Sequence, residues 1–381
     1  MSARSRLRTS VYTGYRTEKF GGHVTNSRSY VSLSEQCDDD NGPGDNSVLT
    51  ITRTTRSGGL INGIEKSNLT GYIWNDYPCG YMSDPYTTSH LSISGQPANS
   101  TLAAQVAART QPDRSSMVSL EYLSDLQDVG GMVKNKLHNK LRDLYKKIPH
   151  FNGLKRLAKL NLLYQFGIVP LISDIETLLK FQELVDARTK ELDRLYNGPR
   201  GLRRTLSLWS GSNQSIVSSA TIQSQGVSLH ARVSKTTTVN IKGHIRWRCN
   251  YPLKMSEKAL RSKAKKVILG YSLTPSNLYE LMPWSWFVDY FTNLGLIVKG
   301  ANNLFEYNHN AVRIMEHKRT YCSSSNHDTE GLGANIIICT PFSVTNETKT
   351  RRLASPSIIA RDAILTESQL SILGSLSVLR R

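Results

Sequence analysis

Four cations with helical spacing are the clearest chemical signal in the sequence. They recur at intervals of four, three and four residues, as Lys254, Lys258, Arg261 and Lys265. On an α-helix these intervals place the side chains on one face, and Glu257 is the one carboxylate between Tyr251 and Leu278. Like charges on one face repel one another unless an anion neutralises them, so we favour contact with RNA or DNA phosphates. The alternative is an ordinary solvated face, the usual role of a charge run.

A second group of cations lies earlier in the chain, on two further predicted helices. From Leu120 to Ile148, apolar residues recur every three or four positions, which predicts a long helix with one apolar stripe. The cations that this helix and the next present to solvent are candidates for RNA contact, namely Lys134, Arg142, Lys146, Lys155 and Lys159. Lys140 and Lys147 lie close to the apolar stripe, where the alternative is that their stems cover apolar surface.

Patterns that carry catalysis or bind metals are missing from the sequence. The nine His residues form no HExxH or similar cluster, and no nucleophile elbow, Walker loop or dinucleotide-binding loop occurs. The acidic run from Asp38 to Asp40 lacks the spacing of a calcium-binding loop. Asp289 lies in apolar surroundings without a partner acid or base, so we expect a buried, hydrogen-bonded structural acid. These patterns predict a protein that is not an enzyme and has neither metal nor cofactor.

The composition favours an anionic partner. Among 381 residues, 48 Lys and Arg stand against 30 Asp and Glu, which gives a formal net charge of +18. Such a surplus favours nucleic acid or another anionic surface, and the alternative is a protein that is merely basic and soluble. The five Cys residues are scattered without a CxxC pair, which is typical of a protein made in a reducing cytosol. The N-terminus is basic but lacks the apolar segment of a signal peptide.

The most apolar stretch of the chain is PSNLYELMPWSWFVDYFTNLGLIV, residues 275–298. Several polar side chains and a proline interrupt it, and burying those polar groups in lipid would be costly. We therefore predict no membrane span.

Two kinds of periodicity predict the elements that position these residues. Helices are predicted at 120–148, at 154–166, at 173–196 behind a capping box, and within 256–299. Apolar and polar side chains alternate from Val227 to Cys249, as in a strand with one buried and one solvated face. This alternation places Trp247 in the core rather than on a base-stacking platform. A shorter alternating run, SVLTITRTTRSGGL, predicts a strand that ends in a Gly-Gly turn.

Helical and strand blocks that alternate along the chain predict an α+β fold with an antiparallel β-sheet region and a helical bundle region. The predicted β region is discontinuous and comprises residues 1–115, 200–252 and 301–360. The predicted helical bundle region comprises residues 116–199 and 253–300. Residues 361–381 are expected to form a C-terminal helix, which the sequence does not assign to either region.

Two separated segments together resemble a known family. LNLLYQFGIVPLISDIETLL, residues 160–179, contains the pattern FG-x-x-PL-x-SD, and SNLYELMPWSWFVDYFTNLG, residues 276–295, contains ELxPxSWxVDxFxNxG. This pairing resembles the maturation proteins of the leviviruses, the small positive-strand RNA bacteriophages. Chain length, basic charge and the order of strand and helix blocks fit the same family. Outside the two segments, the resemblance consists of the order of these blocks and the length of the chain.

The resemblance implies an elongated, two-lobed protein without catalytic activity. Such proteins are made in the host bacterial cytoplasm and occur as one copy per virion, in place of a coat-protein dimer. They bind the 3′ part of the genomic RNA, attach to a bacterial pilus and accompany the RNA into the host. The resemblance also implies that the motif residues are architectural and form a structural core, which includes Trp284, Trp286, Phe287, Asp289 and Phe291.

The charge pattern adds a hypothesis about which region contacts which partner. We expect the β region to face the receptor and the helical region to face the genome. One alternative is a cellular basic RNA-binding structural protein, which would need no pilus-binding surface. A nucleic-acid enzyme would instead need acids or His clustered around a metal.

Overall fold

The computed structural model of the protein describes residues 4–39, 48–64, 71–113, 161, 181–223, 228–251, 254–269, 279, 288–289, 291–301, 306–309, 311–329, 336–357 and 367–380. The chain divides into two compact units. Unit 1 comprises Met1–Ala103, Thr205–His244 and Ala311–Ser355, and unit 2 comprises Ala104–Arg204, Ile245–Asn310 and Pro356–Arg381.

Eleven strands form the sheet. In chain order they are β1 (Arg4–Glu18), β2 (Val24–Asp39), β3 (Leu49–Ser57), β4 (Leu60–Ile64), β5 (Tyr72–Pro78), β6 (Leu202–Gln223), β7 (Leu229–Cys249), β8 (Tyr307–His309), β9 (Val312–Thr329), β10 (Ile336–Cys339) and β11 (Ser343–Ala354). The strand order is β10-β4-β5-β1-β2-β3-β11-β9-β7-β6, and β8 pairs with the last residues of β7 inside unit 2. The central pairs from β1 through β7 are antiparallel.

β7 confirms the predicted alternation. Every odd-numbered residue from Leu229 to Trp247 is buried, and most of the even-numbered residues are at least partly exposed. Arg246 is an exception, because the alternation predicted a solvated side chain and the structure buries it. Trp247 is fully buried and its Nε1–H donates to Oγ1 of Thr110 at 3.0 Å. The prediction that this Trp belongs to the core is therefore confirmed.

The predicted strand with a Gly-Gly turn is also confirmed, as β3 followed by β4. Gly58 and Gly59 both have a positive φ, 70° and 65°, a conformation that favours glycine. A Cβ at position 58 would in addition collide with the carbonyl oxygen of Pro341. The turn thus depends on glycine for its backbone conformation and for the close approach of a neighbouring segment.

The apolar core of unit 1 lies on the buried side of these strands. Trp74 and Tyr77 of β5 meet edge to face, with ring centroids 4.9 Å apart. Ile61 and Phe342 are buried beside them in the same cluster. Lys235 of β7 is also buried, and its ammonium donates to the carbonyl of Tyr86 at 2.6 Å, so the buried charge keeps a strong acceptor.

Six helices complete the described structure. They are α1 (Pro85–Thr88), α2 (Asn99–Thr110), α3 (Phe181–Tyr196), α4 (Glu257–Leu269), α5 (Leu294–Gly300) and α6 (Glu367–Arg380). The predicted end of a helix near Tyr196 and the predicted C-terminal helix are confirmed. The predicted helix start at Ser173 and the predicted helices at 120–148 and 154–166 lie outside the described residues, apart from residue 161.

The predicted α+β class with a helical bundle region is wrong. Of the described residues, 53% lie in strands and 28% in helices, and one large antiparallel sheet dominates the fold. The reason is that several long strands, above all β1, β2 and β6, carry Ser, Thr and Arg on both faces. Strands without apolar alternation give no periodic signal in the sequence, so the prediction of a β region at 1–115 and 200–252 did not include the length of these strands.

Candidate nucleic-acid interface

α4 carries most of the predicted cation row on its exposed side. Its buried side contains Leu260, Ala264, Val267 and Ile268. Lys258, Arg261 and Lys265 are exposed on the opposite side. Lys254 is exposed as well, but it precedes the helix, which begins at Glu257. The prediction of four cations on one helical face is therefore corrected to three on the helix and one in the segment that leads into it.

One member of this row is partly neutralised. Nη2 of Arg261 lies 3.2 Å from Oδ1 of Asp186 on α3. About half of each side chain is exposed, so solvent screens the pair and it is worth at most about 1 kcal/mol. Lys254, Lys258 and Lys265 form no ion pair within the part of the chain that the structure describes. These three ammonium groups are therefore available to a phosphate.

A partly buried polar network lies behind α4. Lys263 contacts the carboxylate of Glu306 and donates to the hydroxyl of Tyr196 at 2.5 Å. The hydroxyl of Tyr307 lies 2.9 Å from that of Tyr196 and donates to Oδ1 of Asp113 at 3.1 Å. Burial, together with the neighbouring carboxylates, raises the pKa of both tyrosines, so their hydroxyls stay protonated. Lys263 thus points inward, whereas the other cations of α4 are exposed.

The second sequence motif has clear structural roles. Oδ1 of Asp289 accepts from the hydroxyl of Tyr279 at 2.9 Å and from the backbone N–H of Gly295 at 2.8 Å. A side chain at position 295 would collide with that carboxylate. Asn293 is buried and donates to the carbonyl of Ser357 at 2.8 Å. The acid, the amide and the glycine of the motif therefore hold the start of α5 in place.

Two core predictions in this motif need correction. Asp289 is hydrogen-bonded as expected but only half-buried. Phe291 is 37% exposed, so the prediction that it belongs to the core is wrong. Burial and the bond to Asp289 raise the pKa of Tyr279 to about 12, which keeps its hydroxyl a donor.

The other predicted site residues lie outside the described residues. They are the cations Lys134, Arg142, Lys146, Lys155 and Lys159 and the core aromatics Trp284, Trp286 and Phe287. Their predicted roles stay predictions.

A second basic surface, which the sequence analysis did not predict, lies on the exposed face of the sheet in unit 1. Cross-strand pairing brings Lys349 and Asn240 to either side of His317. One row further, Arg351 and Lys242 flank Met315. Leu49 and Ile51 of β3 extend the two rows. We call the surface formed by Leu49, Ile51, Trp209, Asn240, Lys242, Met315, His317, Lys349 and Arg351 the sheet-face groove.

The comparisons with known proteins are negative. No model of a protein family matches the sequence, and a search of curated proteins finds no match. None of the helices that the structure describes is long and apolar enough to cross a membrane. No cluster of His, Cys, Asp or Glu suited to a metal ion occurs among the described residues.

Proposed function

We propose that the protein is a virion maturation and attachment protein of the levivirus type. The observation that carries the proposal is the pair of motifs at 160–179 and 276–295. The contacts of Asp289, Asn293 and Gly295 support it, because they give three residues of the second motif the architectural role that the resemblance implies. On this proposal one copy replaces a coat-protein dimer in the capsid, binds the 3′ part of the genomic RNA, attaches to a bacterial pilus and enters the host with the RNA. We assign it no enzymatic activity.

The charge of unit 2 supports a site for the RNA. Lys254, Lys258 and Lys265 are exposed cations with no ion pair among the described residues, and the two on α4 lie opposite its buried apolar side. Phosphate groups are the ligands that such a row suits, because each contact releases condensed counterions. We therefore place part of the RNA contact on α4 and the segment before it.

Crosslinking in purified particles tests this function. Irradiation of the assembled virion should join peptides from the Lys254–Lys265 segment to one defined region in the 3′ part of the genome. Crosslinks scattered over the genome would remove α4 from the specific interface. Absence of the protein from purified particles would contradict the virion function itself and favour a cellular RNA-binding protein.

Adsorption provides the second readout of the same function. Particles assembled without the protein should retain the coat shell but fail to bind piliated cells, whereas particles that carry it should bind. Equal binding by the two preparations would contradict the attachment role.

A further inference from the structure

The sheet-face groove is a continuous depression on one face of unit 1. It has a volume of about 940 Å³ and crosses β3, β11, β9, β7 and β6. Residues paired directly across antiparallel strands point to the same side of a sheet. The pairs of His317 with Lys349 and of Met315 with Lys242 therefore place these side chains together in the groove. The opposite side of β7 packs inward, as the burial of Val239 and Ile241 shows.

Cations dominate the charge of the groove. Lys242 and Lys349 are exposed, and neither pairs with a carboxylate in the described part of the chain. Glu316 lines the groove but directs its carboxylate to the other side of the sheet, where Oε1 lies 2.7 Å from Nζ of Lys318. At the rim, Oε1 of Glu347 lies 3.9 Å from Nε2 of His317. Burial and the nearby Lys349 lower the pKa of His317, as expected in an electropositive environment. An anionic ligand would relieve the mutual repulsion of these cations.

The floor of the groove is aliphatic. Leu49, Ile51 and Met315 are partly exposed between the cations. Solvent-exposed ion pairs alone contribute little to binding, whereas covering apolar side chains adds roughly 25 cal/mol for each Å² removed from water. The groove therefore suits a ligand that brings carboxylates and aliphatic side chains together.

Two features favour a protein segment over a nucleic acid. Stacking platforms for bases carry aromatic side chains on neighbouring strands, but Trp209 is the one aromatic residue among the lining residues of the groove. In the next row of cross-strand neighbours on the same face, acids also neutralise the cations. Arg53 lies 3.0 Å from Glu35, and Arg319 lies 3.6 Å from Glu347. Acids thus offset the positive charge on this side of the groove, and on the other side the next cation, Arg313, is buried.

We propose that the sheet-face groove is a docking site for an acidic, aliphatic-rich peptide segment of a partner protein. Carboxylates of the segment meet Lys242 and Lys349, and its aliphatic side chains cover Leu49, Ile51 and Met315. This site goes beyond the proposed function, since it requires neither RNA nor a virion, and its test uses the isolated full-length chain.

Binding of a fluorescein-labelled peptide in which Glu and Leu alternate, followed by fluorescence anisotropy at low salt, tests the proposal. The charge-reversed variant Lys242→Glu/Lys349→Glu should bind at least about tenfold more weakly, because two attractive pairs become repulsive. Both side chains are exposed, so the fold should tolerate the change. The matched control Lys19→Glu/Arg232→Glu, which makes the same charge change at two exposed cations of unit 1 outside the groove, should bind like the unchanged protein.

A second peptide, in which Ser replaces every Leu, separates the aliphatic contribution from charge. It should bind more weakly than the Glu-Leu peptide, and Ile51→Thr should reduce binding of the Glu-Leu peptide severalfold. Equal binding of the two peptides would contradict an aliphatic floor. Equal losses in the two charge-reversed variants would mean unspecific attraction and overturn the site. Failure of the peptide to bind, with binding of a single-stranded uridine oligonucleotide that the groove variant abolishes, would assign the groove to RNA and overturn the proposal.

Discussion

Neutralising the exposed ammonium groups of the α4 region should change the salt dependence of RNA binding by a predictable amount. The perturbation is the triple variant Lys254→Gln/Lys258→Gln/Lys265→Gln. Gln has nearly the same helix propensity as Lys, so α4 should remain folded. Arg261 is left in place because its pair with Asp186 already offsets part of its charge.

The magnitude follows from the number of ion pairs to phosphate. Each contact contributes about 0.7 to 0.9 to the slope of log affinity against log salt. Loss of three contacts should make the slope shallower by about 2 to 3 and weaken binding by about fifty- to two-hundredfold near 0.15 M salt. Arg261→Gln alone should change the slope by less than one full contact, since Asp186 competes with phosphate for the guanidinium.

Filter binding of a labelled RNA hairpin across a salt series measures the slope. The matched control is Lys19→Gln/Arg232→Gln/Arg352→Gln, which removes the same charge from three exposed cations of unit 1. An unchanged slope in the α4 variant would refute the assignment of phosphate contacts to α4. The same loss in the control would show that net charge matters rather than position, and would refute it equally.

Three further predictions concern stability and thiol chemistry. Trp247→Phe should lower the free energy of unfolding by about 2 kcal/mol in urea titrations, because it leaves the hydroxyl of Thr110 without its donor and opens a small cavity. Burial raises the pKa of Cys322 to about 11, so iodoacetamide at pH 8 should modify it at least about a hundredfold more slowly than a free Cys peptide, as mass spectrometry would show. Gly58→Ala should destabilise the protein far more than Gly22→Ala, because both have a φ near 70° while only position 58 lacks room for a Cβ; equal losses in thermal denaturation would contradict the collision.

The sequence predicts those elements in which one face is buried. The alternation of β7 and the apolar stripe of α4 both come from a partition between core and solvent, which leaves a period in the sequence. The first eight residues of β1 are all exposed, so nothing in their order separates a strand from a loop. Long polar strands of this kind account for the wrong fold class.

Contacts between distant segments could not be predicted. Lys263 lies on the same helix as the predicted cation row, and only its contact with Glu306 shows that it faces inward. The sheet-face groove likewise needs the register of β3, β11, β9 and β7, which brings together residues up to about three hundred positions apart. Helical spacing identified exposed cations. It did not distinguish Arg261, which pairs with Asp186, from Lys258 and Lys265, which form no ion pair among the described residues.

Charge alone does not determine the partner of a basic surface. The residues between the cations determine whether a ligand also needs apolar groups. Around α4 the exposed cations stand apart from the buried apolar stripe, so a ligand meets charge and water, as a phosphate backbone requires. In the sheet-face groove the cations lie beside Ile51 and Met315. A ligand without aliphatic groups would leave these apolar side chains exposed to water. It follows that high salt should release RNA from α4 more completely than it releases a Glu-Leu peptide from the groove, because apolar burial does not weaken as salt screens charge. Measuring both ligands across one salt series would test this distinction, and equal salt slopes would contradict it.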